Sequence, residues 1–270
     1  MNPAGAWTTL ASGVRLHHRV QGRPGAPWLV LVNGLLSDTT LWAGVLPGLT
    51  PHYRVLTFDG RGQGKSDTPA DGGYDAGLLA REAWELLERL GIVQPWLIGL
   101  SNGSSVSLEL LAAHPGAFRG AVLTSAVAHI DFSMALRLQH WLHCLALGGP
   151  GLQFEAAAPF LWGDRFLQQR YEVLKAYHQK KAASNEPFEG SRHQIEGVLH
   201  WDIRDKLHEI QDSVLLLAGA EDLLTPVWKC QETARLIPNS IFETVPGIGH
   251  AYPVEDPKGF AARVRAFATI

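Results

Sequence analysis

The sequence predicts an α/β fold, a mostly parallel β-sheet with helices on its faces and a helical insertion late in the chain. Three observations carry that expectation. Short apolar runs bounded by turn residues alternate with amphipathic stretches, the pattern of buried parallel strands joined by surface helices. A Gly-x-Ser-x-Gly motif, Gly99-Leu100-Ser101-Asn102-Gly103, directly follows one such run and opens a helical stretch. Roughly 80 residues, 130–211, then pass without a convincing strand, far beyond an ordinary connection between neighbouring strands.

The elements follow in order. A hairpin is expected over 7–10 and 14–20, turning through Ala11-Ser12-Gly13. Buried strands are expected at 28–32, 54–58, 95–99 and 120–125, and two more at 213–219 and 240–245. Between them, 75–90 carries Leu78, Leu79, Glu82, Leu86 and Leu90 at helical spacing, with Gly91 placed as a C-terminal cap. Residues 102–113 form the next helix, which stops at His114-Pro115-Gly116 because proline disfavours helix in the residue before it. Helices are also expected at 227–236, ending before Pro238, and at 257–268. Within the insertion, 132–147, 165–181 and 195–207 read as helical. The expected division is a core of 1–129 and 212–270, with 130–211 as a helical cap.

Composition narrows the function classes. At 270 residues and 46% hydrophobic, the chain suits one large α/β core, or a core with a small appended domain. A formal net charge of −3 supplies no field for nucleic acid or an anionic membrane. No run reaches the roughly 18 apolar residues that span a bilayer, so no stable membrane insertion is expected. The first seven residues lack a signal-peptide pattern, which gives a cytoplasmic expectation. Cys144 and Cys230 are too few for a disulfide framework and read as free thiols.

The chemistry starts at Ser101. A serine turned sharply from strand into helix projects its Oγ above the sheet, and small flanking residues avoid collision there. The helix N-terminus aims free N–H groups at the same spot. Ser104, Ser105 and Ser107 lie inside the helix and read as small packing residues. A carboxylate just past the strand at 213–219 shares the rim with Ser101, since parallel strands end on one side. Glu221 and Asp222 both qualify.

Among twelve histidines, His250 alone sits in a Gly-rich loop after the last strand, again on that rim. His17, His18 and His114 read as filler. His140 and His143 are three apart, but nothing nearby completes a metal site. No metal and no cofactor are expected. His250 would take the Ser101 proton and return it to the leaving group, and the carboxylate would fix the imidazole tautomer. The strand at 28–32 runs into Asn33-Gly34-Leu35-Leu36, so the Leu35 and Asn102 N–H groups are expected to form the oxyanion hole. The stretch from Asp59 to Asp67 ends in Gly64-Lys65-Ser66, like a phosphate-binding loop, but Asp59 stands where that motif needs glycine. It reads as a structural turn.

Five segments in this order, namely Asn33-Gly34, 59–67, the Ser101 turn, the Asp222 loop and the His250 loop, resemble the α/β-hydrolase superfamily over nearly the whole chain outside the insertion. The resemblance implies an eight-stranded, mostly parallel sheet with a helical cap after the sixth strand. It favours Asp222 over Glu221, because Gly219-x-x-Asp222-x-x-x-Pro226 matches the family loop. Many members have His where this chain has Asn33; Asn-Gly variants look similar to enol-lactone hydrolases and to enzymes that condense hydroxyacyl chains. Serine at 101 argues against haloalkane dehalogenases and epoxide hydrolases, which use Asp there.

The insertion carries Phe132, Trp141, Phe154, Phe160, Trp162, Phe166 and Trp201, a set suited to an apolar pocket. Leu36, Trp141, Trp162 and Leu223 are expected to touch substrate. The expected activity is hydrolysis of a small hydrophobic ester or lactone through an acyl-enzyme on Ser101. The alternatives are acyl transfer, carbon–carbon bond hydrolysis or perhydrolysis by the same triad, or a non-catalytic ligand receptor on the same fold.

Overall fold

The computed structural model describes residues 5–183 and 188–269; the expectation about the first seven residues falls partly on 1–4, which lie outside them. The chain opens with β1 (Ala6–Thr9) and β2 (Arg15–Gly22). Their turn is closed by Leu10 N–H donating to Val14 O at 2.8 Å. Then come β3 (Trp28–Val32), α1 (Leu46–Leu49), β4 (Arg54–Phe58), α2 (Ala76–Arg89), β5 (Trp96–Leu100), α3 (Asn102–Ala113) and β6 (Gly120–Thr124). The insertion supplies α4 (Phe132–Leu161), α5 (Asp164–Ala183) and α6 (Glu189–Val198). β7 (Val214–Gly219), α7 (Val227–Leu236), β8 (Ser240–Val245), α8 (Tyr252–Glu255) and α9 (Pro257–Phe267) complete the core.

The eight strands form one sheet in the order β1-β2-β4-β3-β5-β6-β7-β8. β2 pairs antiparallel with both β1 and β4, and every other pairing is parallel. The central strands β5, β6 and β7 are buried throughout, which explains their unbroken apolar runs. One face packs on α2 and α3, with Leu86, Leu110 and Leu111 among the residues involved. The other packs on α1, α8 and α9, where Leu49, Tyr252 and Phe260 are fully buried. All five crossovers therefore deliver their C-terminal strand ends to one rim.

Local capping sets two of the helix starts. Asp75 accepts from Leu78 N–H at the head of α2, and Asp131 accepts from Met134 N–H at the head of α4. The helix expected to end at 147 breaks there: Gly148 and Gly149 leave helical geometry, with Gly149 at φ 66°, and Pro150 opens a second segment reaching Leu161.

One expected element is corrected. Residues 195–207 are not a single helix. α6 stops at Val198, and the chain extends to pair with residues 128–130, beyond the end of β6, with Ile130 N–H donating to Trp201 O at 3.0 Å and Ile203 N–H donating to Ala128 O at 3.0 Å. A 3-10 turn, Arg204–Glu209, follows. The long-range pairing, His129 opposite Asp202, overrides the local helical pattern. Among the described residues, no helix is long and apolar enough to cross a membrane.

Candidate active site

Ser101 joins β5 to α3 with φ 55° and ψ −119°, a left-handed backbone that costs a non-glycine residue about 1–3 kcal/mol. The neighbouring glycines explain how so tight a turn fits. A Cβ on Gly99 would lie 2.8 Å from Gly103 O, and one on Gly103 would lie 2.1 Å from Val32 O. The turn is pinned by Ser101 N–H donating to Thr124 O at 2.9 Å. Ser104 Oγ donates to Thr124 O and Ser107 Oγ to Gly103 O, so these hydroxyls are bonded within the scaffold.

Asp222 and His250 come from the loops after β7 and β8. Asp222 Oδ2 lies 2.8 Å from His250 Nδ1, and both side chains are buried. Asp222 Oδ1 accepts from the N–H groups of Leu224 and Thr225 at 2.9 and 2.8 Å, while Thr225 Oγ1 donates to Oδ2 at 2.6 Å. Burial pushes the Asp222 carboxyl up, but the His250 charge and the bonds from His250 and Thr225 outweigh it. The net result is a carboxyl below its ordinary range. His250 is held through its backbone as well: its N–H donates to Leu161 O at 2.8 Å, and its carbonyl accepts from Ser125 Oγ at 2.9 Å.

Glu221, the competing carboxylate, points elsewhere. Its Oε2 accepts from Asp164 N–H at 2.7 Å, at the start of α5. Glu255 joins it by accepting from Gly163 and Gly249 N–H, and burial raises the Glu255 carboxyl above its usual value. These two carboxylates fasten the insertion to the rim rather than orienting His250.

Ser101 and His250 line one cavity of about 600 Å³ roofed by the insertion. Leu35 and Asn102 lie in the same wall. Asn102 is the first residue of α3, so its N–H has no acceptor within the helix. Leu36, Trp141 and Trp162 line the cavity, as do Phe154 and Trp201. Leu223 does not: it is 56% exposed, because its N–H donates to Phe160 O and its carbonyl accepts from Arg137, turning the side chain outward. Its neighbour Leu224 takes the lining position. Phe132 is 80% exposed, and Phe166 stacks on Trp162 instead of facing the cavity.

The segment 59–67 is a structural turn. Buried Asp59 accepts from Thr39 and Lys65 N–H and bonds His17 Nδ1 at 2.9 Å, which also explains buried His17. Asn33 is fully bonded, with Nδ2 donating to Phe58 O and Gln63 Oε1 and Oδ1 accepting from Trp42 Nε1. Cys144 and Cys230 are buried free thiols, and burial raises the Cys230 thiol strongly. The reading of residues alone missed Thr225 and Ser125. Thr225 carried a local signal, a hydroxyl three residues after the carboxylate; Ser125 carried none.

The model of the α/β-hydrolase fold matches residues 27–257. A relative from Stutzerimonas stutzeri, named "Putative carbamate hydrolase RutD", is 31% identical over 247 residues, covering 91% of this chain and 93% of its own. The solved thermophilic esterase of Thermogutta terrifontis is 25% identical with a TM-score of 0.84, over 98% of this chain and 97% of the esterase. The enol-lactonase of Burkholderia xenovorans shares the fold, with 24% identity and a TM-score of 0.85 over 98% of this chain and all of that one. With its sheet order, strand–Ser101–helix turn and 231-residue family match in agreement, this chain belongs to the α/β-hydrolase fold family and is a hydrolase.

Proposed function

We propose that the protein is a serine hydrolase that cleaves a carboxylic ester or lactone with a bulky apolar acyl group, through an acyl-enzyme on Ser101. The observation that carries this reading is the cavity beside Ser101 and His250: about 600 Å³, walled largely by Leu, Val and Trp, with no Lys or Arg among the described residues that line it. The apolar lining favours an acyl chain over the small polar carbamate that the name of the Stutzerimonas relative implies.

In this mechanism His250 Nε2 accepts the Ser101 proton as Oγ attacks the ester carbonyl. Asp222 holds Nδ1–H and so keeps Nε2 free to accept. The carbonyl oxygen, now negative, is met by the Leu35 and Asn102 N–H groups. Collapse expels the alcohol, protonated by His250, and water repeats the cycle on the acyl-enzyme. The insertion acts as a cap that supplies the apolar wall and limits water.

The test is a series of p-nitrophenyl esters of rising acyl length, with a carbamate ester alongside. kcat/KM should climb by up to about four-fold per methylene, the equivalent of ~0.8 kcal/mol, until the cavity is filled. Fastest turnover on acetate or the carbamate, declining with length, would overturn the apolar-acyl reading.

Gln153 adds a polar point to the wall. It is 7% exposed and lines the cavity. A hydrogen bond between its amide and a carbonyl or hydroxyl on the substrate would contribute about 0.5–1.5 kcal/mol. Gln153→Leu is expected to shift preference toward plain alkyl esters by up to roughly ten-fold relative to chains bearing an internal amide or hydroxyl. Competition assays between the two ester types read that ratio directly, and an unchanged ratio would remove Gln153 from substrate recognition.

A further inference from the structure

α6 meets the core through a single face. Gly190, Gln194 and Gly197 recur at spacings of four and three, so they share one side of the helix. A Cβ on Gly190 would lie 2.4 Å from Gly62 O, and one on Gly197 would lie 2.4 Å from Tyr74 O. The helix backbone therefore rests directly on two core turns. His193 stacks on Tyr74 beside them, with ring centroids 5.0 Å apart.

Gln194 sits between the two glycines, 2% exposed, with both ends of its amide engaged. Nε2 donates to Gly62 O at 2.7 Å. Oε1 accepts from Leu36 N–H at 3.2 Å and from Gln63 Nε2 at 3.3 Å. The same Gln63 Nε2 donates to Gly34 O at 3.0 Å, and Ser37 Oγ donates to that carbonyl at 2.7 Å.

Peptide geometry gives these bonds a consequence for catalysis. Gly34 C=O and Leu35 N–H belong to one planar trans peptide and point in opposite directions. Gripping Gly34 O from the core side aims Leu35 N–H the other way. The next peptide plane carries Leu36 N–H, which Gln194 holds. Leu36 has φ 59°, a conformation that a leucine keeps only when its surroundings impose it.

We propose that Gln194 is a positioning residue for the oxyanion site. Through Leu36 N–H and Gln63 it fixes the peptide planes on both sides of Leu35, so transition-state stabilisation depends on α6 being seated on the core. The inference rests on the proposed roles of Ser101 as nucleophile and Leu35 as oxyanion donor.

Two variants test it, Gln194→Met and Gly190→Ala. The first removes all three hydrogen bonds at similar volume; the second lifts α6 from Gly62 without removing a polar group. Each should lower kcat by roughly ten- to a hundred-fold, less than the 10²–10³ of deleting a donor outright, with KM changing by less than about three-fold. Affinity for an alkylboronic acid, whose tetrahedral adduct places an oxygen in the oxyanion site, should fall with kcat. Affinity for the matching fatty amide, which stays trigonal, should hold.

A kcat within two-fold of wild type in either variant would overturn the proposal. So would equal loss of boronate and amide affinity, which signals a cavity that has merely loosened. If Ser101→Ala keeps its activity, the nucleophile reading fails. If Ser101→Ala is inactive while Gln194→Met is unimpaired, only the role of Gln194 fails.

Discussion

Replacing Ser101 by alanine is expected to lower kcat by about 10⁴- to 10⁶-fold on any ester the wild type cleaves, with the protein folding normally. The side chain makes no contact on which the turn depends. That turn is held by Ser101 N–H on Thr124 O and by the close approach of Gly99 and Gly103 to their neighbours, all of which alanine preserves. The backbone strain at φ 55° is the same for either residue, so the melting temperature should stay within a few degrees. Residual turnover would come from the oxyanion donors and binding alone. An alkyl fluorophosphonate, which loses fluoride as the serine Oγ bonds phosphorus, followed by mass spectrometry gives an independent reading: wild type should be labelled at Ser101, and the variant should not be labelled. Labelling at Ser104, Ser105 or Ser107, or a kcat within ten-fold of wild type, would refute the assignment.

Asp222→Asn should cost about 10⁴-fold in kcat with little change in KM, and the hydrogen-bond pattern says why. The N–H groups of Leu224 and Thr225 both donate to Oδ1, so an asparagine must present its carbonyl oxygen there. Its NH₂ then occupies the Oδ2 position and donates to His250 Nδ1. That forces the proton onto Nε2, the nitrogen that must accept from Ser101. Nitrogen NMR of the imidazole should report the changed tautomer. Glu221→Gln, by contrast, alters a contact to Asp164 N–H and should keep kcat within a few-fold. An Asp222→Asn variant with more than a tenth of wild-type activity would assign the orienting role elsewhere.

The same carboxylate links stability to pH. Its folded pKa lies below the ordinary value of 3.8, so its contribution is complete above that value and is lost as pH falls through the lower one. Wild type should therefore be more stable than Asp222→Asn near neutrality, and the gap in melting temperature should close in acid.

Much of this was open to reading along the chain. The parallel strands announce themselves as apolar runs because they are covered on both faces, and Ser101 is marked by glycines that only a strand-to-helix turn of this tightness requires. His250 is marked by a Gly-rich loop at the end of the last strand. These features are local, and hydrophobic period and turn chemistry encode local geometry well. Glu221 and Asp222 are adjacent in a loop, where no period says which way a side chain points; hydrogen bonds to Asp164 in one case and to His250 in the other separate them. Leu223 was misplaced for the same reason, and 195–207 because pairing with residues 128–130 outweighs helical preference.

The amino-acid order alone thus determined the sheet, the Ser101 turn and the rim on which the reactive groups meet. Tertiary contact decided which carboxylate reaches His250, which aromatics face the cavity, and how Gln194 in the insertion comes to hold Leu36. Partners 28 and 158 positions apart in the chain make those choices, and side-chain direction in a loop is fixed only once such partners arrive.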